Sequence, residues 1–126
     1  MIPIYIFIGG GIGSVLRYFL SSNISRHFGT YFSYGTLAVN IIGSFLMGVL
    51  IEYLTKTLPH SLELRAFLAV GILGGFTTFS AFSLDAIIMF ERGDNMLALA
   101  YVLASVVFSI IAVFAGMMLI QAIKFN

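Results

Sequence analysis

The chain has no cysteine, which excludes disulfides and thiolate-held metals. Histidine is scarce too. His27 and His60 are assigned to loops, and two are too few for a metal site. Charge is the larger deficit. Asp, Glu, Lys and Arg make up 9% of the 126 residues, where a soluble domain carries about 25%. A chain of this size folded in water needs more charge to cover its surface. The net charge is +1, so there is no basic field for nucleic acid. No Lys or Arg precedes Arg17 and no small-residue cleavage site stands in the usual place. The N-terminus therefore reads as a membrane span rather than a removed signal peptide. The sequence also lacks a nucleophile–base pair and a nucleotide loop. Gly9-Gly10-Gly11-Ile12-Gly13 is glycine-rich, but it lies in an apolar run with no preceding strand, which rejects a dinucleotide fingerprint. No enzyme is expected.

What is present is apolar: 60% of residues are hydrophobic, and the lipid bilayer is the solvent that suits this balance. Four apolar stretches stand out, at about 2–21, 35–54, 65–90 and 96–123. A span needs roughly 20 residues to cross a core of about 30 Å. The polar links between them are too short to hold a domain. One transmembrane domain, 1–126, is expected, with neighbouring helices antiparallel and both termini on one side. Lys56, Arg65 and Lys124 fall on that side, and Arg26, Arg92 and, if it snorkels there, Arg17 on the other. This near-balance gives the positive-inside rule almost nothing to act on. It fits either noise in a small protein or a chain that inserts both ways and pairs as an antiparallel dimer.

Polar groups inside the spans are where function should sit. The first span carries Gly9 and Gly13, spaced for close helix approach, and Arg17. That arginine either snorkels at the helix end or attracts anions into a vestibule. The second span sets Thr36, Asn40, Ser44 and Gly48 on one stripe. Asn40 brings an amide that is costly to bury without partners, as interhelical glue or as pore lining. The fourth span has Tyr101, Ser105 and Ser109 four apart, and serines there often bond back to their own backbone. Ala112 and Gly116 form a small-residue packing pair. No carboxylate lies in the first span, and Glu52 and Asp85 are placed toward span ends.

The third span is the most informative. Gly74-Gly75-Phe76-Thr77-Thr78 makes a poor helix centre, and it falls near the span's midpoint. The spacing predicts a break at bilayer depth, where irregular backbone survives only if buried in protein or lining water. Freed carbonyls there can bind a cation. In an antiparallel dimer the breaks of both copies would meet and share one ion. Phe79 and Phe82 share a face just beyond, and aromatic edges are positive.

These residues resemble the CrcB/Fluc fluoride channels. Gly9-Gly10-Gly11-x-Gly13-Ser14-x-x-Arg17-Tyr18, Gly35-Thr36-Leu37-x-x-Asn40-x-x-Gly43 and Gly74-Gly75-x-Thr77-Thr78-Phe79-Ser80-x-Phe82-Ser83 match the family's first three helices. The resemblance covers essentially the whole chain. It implies an all-α integral membrane protein with four transmembrane helices per subunit. The third helix is broken near its centre, and the subunits pair as an antiparallel, dual-topology homodimer in the cell (inner) membrane. The implied function is passive export of fluoride from the cytoplasm. The implied pore residues are Asn40, Phe79 and Phe82, with Tyr101, Ser105 and Ser109 on the fourth helix. Arg17 would stand at the vestibule, and a structural sodium ion would rest on the backbone carbonyls of Gly74 and Thr77. Where the family often places a further hydroxyl, this chain has Val113, so the polar track is shortened or supplied by another residue such as Ser80. The rival reading is a small proton-coupled exporter of the small-multidrug-resistance type. A third is an accessory membrane subunit, which leaves the polar stripe and the broken span unexplained.

Overall fold

The computed structural model describes residues 1–123. Lys124, counted in the charge balance, lies outside the described residues. Helix α1 spans Ile2–Phe28 and α2 spans Tyr34–Thr57. The third span runs from Leu62 to Glu91 in pieces: α3 (Leu62–Arg65), a π-helical segment (Ala66–Leu73), α4 (Gly74–Phe76) and α5 (Ser80–Glu91). Helix α6 spans Asn95–Gln121. Four helical stretches are thus long and apolar enough to cross a membrane, and the described elements are all helical.

The helices outrun the apolar windows at most ends, because short polar segments continue a helix at no great cost. Helix α1 carries Arg26 and His27 in its last turn, where a cation suits the negative end of the helix dipole. His27 is therefore helical, not in a loop as the sequence suggested. Helix α1 stops at Gly29, whose φ of 81° suits a residue without a Cβ.

Glycine sets how the helices pack. A Cβ on Gly9 or Gly13 would meet backbone of the third span, at Phe67 and Ile72. Gly75 in turn abuts the backbone of Gly10. Helix α1 therefore lies backbone-on-backbone along the first half of that span. The α2–α6 contact is built reciprocally, with Gly48 against the carbonyl of Val113 and Gly116 against that of Phe45. Lipid tails give helices no hydrophobic reason to associate, so this close approach supplies the van der Waals attraction instead. Apolar side chains such as Phe7, Phe19, Ile110 and Phe114 stay exposed, as a lipid-facing surface requires.

At one end the α1–α2 and α5–α6 loops are clasped. Arg92 donates Nε to Asp94 Oδ2 at 2.8 Å and Nη2 to the Tyr31 carbonyl at 2.6 Å. Its guanidinium lies 3.9 Å over the Tyr31 ring. The Tyr31 hydroxyl donates to Asp94 Oδ2 at 2.6 Å. That hydrogen bond, and then the one from Arg92, hold the Asp94 carboxyl below its ordinary value. The same Asp94 bond pushes the Tyr31 phenol up. A lowered carboxyl pKa stabilises the fold above the unfolded value, and this is lost as pH falls through the folded one. Amide exchange in residues 29–33 should therefore speed up below the ordinary carboxylate range, after correction for intrinsic rates. Asp94→Asn should show fast exchange already at neutral pH, with no acid step.

Candidate functional site

The break is held from two other helices. After Phe76 the chain turns extended at Thr77, with φ −83° and ψ 158°, and helix resumes at Ser80. Asn40 of α2 donates Nδ2 to the Thr78 carbonyl at 2.9 Å and accepts the Thr78 N–H at Oδ1 at 2.8 Å. One amide thus satisfies both backbone groups of one residue. Arg17 of α1 donates Nε to the Gly75 carbonyl at 3.1 Å. Thr78 Oγ1 accepts the N–H of Ala81 at 3.1 Å. In a continuous helix the Thr78 and Ala81 N–H groups would serve the carbonyls of Gly74 and Thr77. Both are spent elsewhere. Carbonyls left short of donors suit a hard cation, so Gly74 and Thr77 fit the role of main-chain ligands for sodium.

Beside the break lies a groove of about 390 Å³. Asn40, Ser44, Thr77, Thr78, Phe79 and Phe82 line it, with Ser105, Ser109 and Val113 from α6. Among the described residues no charged side chain lines it. The Phe79 and Phe82 rings sit 5.4 Å apart, centroid to centroid. Phe82 is 8% exposed and Phe79 is 78% exposed, so one ring is packed and the other stands open. The Ser105 hydroxyl is buried and has no hydrogen-bond partner among the described residues. Such a group costs about 1–3 kcal/mol, and it belongs to a residue of the groove wall.

The structure thus brings Asn40, Phe79, Phe82, Ser105 and Ser109 together on one groove. Ser80 and Tyr101 are not on it. Ser80 pairs with the hydroxyl of Thr78 at 3.4 Å, and Thr78 is itself a residue of the groove wall. Tyr101 is fully buried, packed between Phe82 and Phe32. Its hydroxyl donates to Asp85 Oδ2 at 3.3 Å, as does that of Thr36 at 2.9 Å. Asp85 thus lies toward the end of its span, as its place in the sequence suggests, and is tied there to α2 and α6. The stripe of α2 divides by task. Thr36 serves Asp85, Asn40 the break, Ser44 the groove and Gly48 the packing with α6. Sequence reasoning passed over the Thr36–Asp85 pairing, and the signal for it was Thr36 one turn before Asn40.

Four spanning helices, a broken third span and an uncharged, largely apolar groove set with one amide and a few hydroxyls define a multi-pass membrane protein. The chain belongs to the CrcB-like protein, Camphor Resistance (CrcB) family, whose model matches residues 4–117. Among its relatives is the fluoride-specific ion channel FluC of Agrobacterium fabrum, 57% identical over 111 residues, which are 88% of this chain and 89% of the relative. The protein of the same name from Rhizobium etli is 53% identical over 116 residues, or 92% and 93% of the two chains. That of Rhodopseudomonas palustris is 46% identical over 123 residues, or 98% and 99%.

Proposed function

We infer that this chain is a fluoride-specific ion channel, not an enzyme, that lets fluoride leave the cytoplasm passively and so lowers its toxicity. The groove beside the break carries the reading, because its donors are neutral. The Asn40 amide nitrogen keeps a second hydrogen after serving Thr78. Ser105 and Ser109 add hydroxyls, and Phe79 and Phe82 offer positive ring edges. Such contacts replace water around a small anion yet remain weak enough to release it. Arg17 adds positive potential at the break and stands toward the vestibule. Tyr101 acts behind Phe82, and Ser80 supports Thr78.

One groove flank is open, with Phe79 exposed upon it. This supports assembly as an antiparallel, dual-topology homodimer in which a second copy closes the pathway. The membrane would be the bacterial inner membrane, and residues 1–126 would act as one transmembrane domain. The carbonyls of Gly74 and Thr77 would hold the structural sodium ion, which locks the break and offsets repulsion of anions. The small-multidrug type of exporter draws no support from the relatives' names.

Liposomes loaded with fluoride test this directly with an ion-selective electrode, no proton gradient and chloride as control. Rapid fluoride release without chloride release is expected. Phe82→Ile should slow release about tenfold, if the lost ring edge is worth about 1.4 kcal/mol at the barrier. Unchanged flux in that variant would remove the ring from the pathway.

A further inference from the structure

A second cavity, of about 440 Å³, lies near the groove. Thr36 stands one turn before Asn40 on α2, and Asp85 one turn after Phe82 on α5. Residues three or four apart on a helix are neighbours. The cavity walls carry the hydroxyls of Ser21, Ser25, Thr30, Ser33 and Thr36 around the single carboxylate of Asp85. We propose that this cavity binds a small, hard monovalent cation of the sodium type on Asp85 and the surrounding hydroxyl oxygens.

Three observations carry the proposal. First, the carboxylate has no countercharge. Among the described residues Arg92 is the one cation on the cavity wall, and it is committed to Asp94, the Tyr31 carbonyl and the Tyr31 ring. Among the described residues Asp85 forms no ion pair. Second, both hydrogen bonds to Asp85, from Thr36 and Tyr101, fall on Oδ2, which leaves Oδ1 for a ligand. Third, apart from Arg92, the polar side chains of the cavity offer oxygen, which hard cations prefer. One negative charge among neutral hydroxyls balances a single positive charge. A hydroxyl that donates to the carboxylate keeps lone pairs for the cation. This site is separate from the main-chain carbonyls of the break. Its consequence for conduction, cancelling the repulsion Asp85 exerts on a passing anion, rests on the fluoride reading.

Infrared difference spectroscopy of the purified protein tests the site without any flux measurement. Sodium is exchanged for N-methylglucamine at constant pH and ionic strength. The carboxylate stretch of Asp85 is expected to shift with sodium in the wild type. The shift should vanish in Asp85→Asn and persist in Glu52→Gln. Should Asp85→Asn fail to fold, Ser21→Ala/Ser33→Ala keeps the carboxylate, and its sodium affinity should fall about tenfold or more. A wild-type spectrum indifferent to sodium overturns the proposal. So does an equal response to the large organic cation, or a protonated Asp85 carboxyl band at neutral pH. Fluoride efflux is measured on the same preparation. A protein that shows the sodium shift but passes no fluoride keeps the site and loses the channel reading.

Discussion

Replacing Asn40 with alanine is expected to cut fluoride efflux about 100-fold or more and to destabilise the folded protein by about 2–4 kcal/mol. Among the described residues Asn40 alone bonds both backbone groups of Thr78 through its side chain. Each net hydrogen bond is worth about 1 kcal/mol, and each buried group left unpaired costs about 1–3. The Thr78 N–H would be free to return to the Gly74 carbonyl, one step toward closing the break into helix. A barrier rise of about 2.8 kcal/mol gives the 100-fold loss. Asn40→Asp separates the parts, since it still accepts the N–H but donates nothing to the carbonyl. Efflux in liposomes and thermal unfolding in detergent, measured together, check the prediction. Wild-type flux and stability in Asn40→Ala would show that the break stands without its clasp.

The second large effect comes from a residue with no side chain. Gly13→Ala would set a Cβ closer than 3.0 Å to both the Ile72 carbonyl and the Phe76 nitrogen. Backbone on both sides leaves no flexible atom to move aside. Overpacking of this kind costs about 1–3 kcal/mol where cores can adjust, and more is expected here. The variant should express poorly or unfold well below the wild-type temperature. Gly11→Ala is the control, because nothing lies within 4 Å of its Cβ. It should be neutral or slightly stabilising, since alanine is the better helix former by about 1 kcal/mol. Equal melting of the two variants would refute the close α1 contact.

The same physics explains what could be read in the chain beforehand. Long apolar runs are a strong signal because lipid forbids alternatives, so the four spans were plain. The break was plain as well, because Gly74-Gly75 followed by Thr77-Thr78 weakens helix in a place with no water to compensate. Helix ends were less visible. Asn23–His27 is polar, which looks like a loop in hydropathy but suits the last turn of a helix. The π-helical register of Ala66–Leu73 has no compositional mark at all. Tyr101 was misleading for a different reason. Its fourfold spacing to Ser105 and Ser109 puts it on their stripe, yet packing against Phe82 and the bond to Asp85 turn it into the bundle. Which polar residues meet depends on helix rotation, and rotation is set by glycine contacts between distant segments.

The clasps on the third span have an order in time. Arg17 lies 58 positions before its partner Gly75, and Asn40 lies 38 before Thr78. Ribosomes deliver the N-terminal end first, so both clasping side chains leave the tunnel before the segment they hold. The third span arrives with a weak centre and finds its partners already waiting. A chain permuted to begin at Leu62 would present that weak centre to the membrane alone, with nothing yet made to take its stranded amide and carbonyl groups.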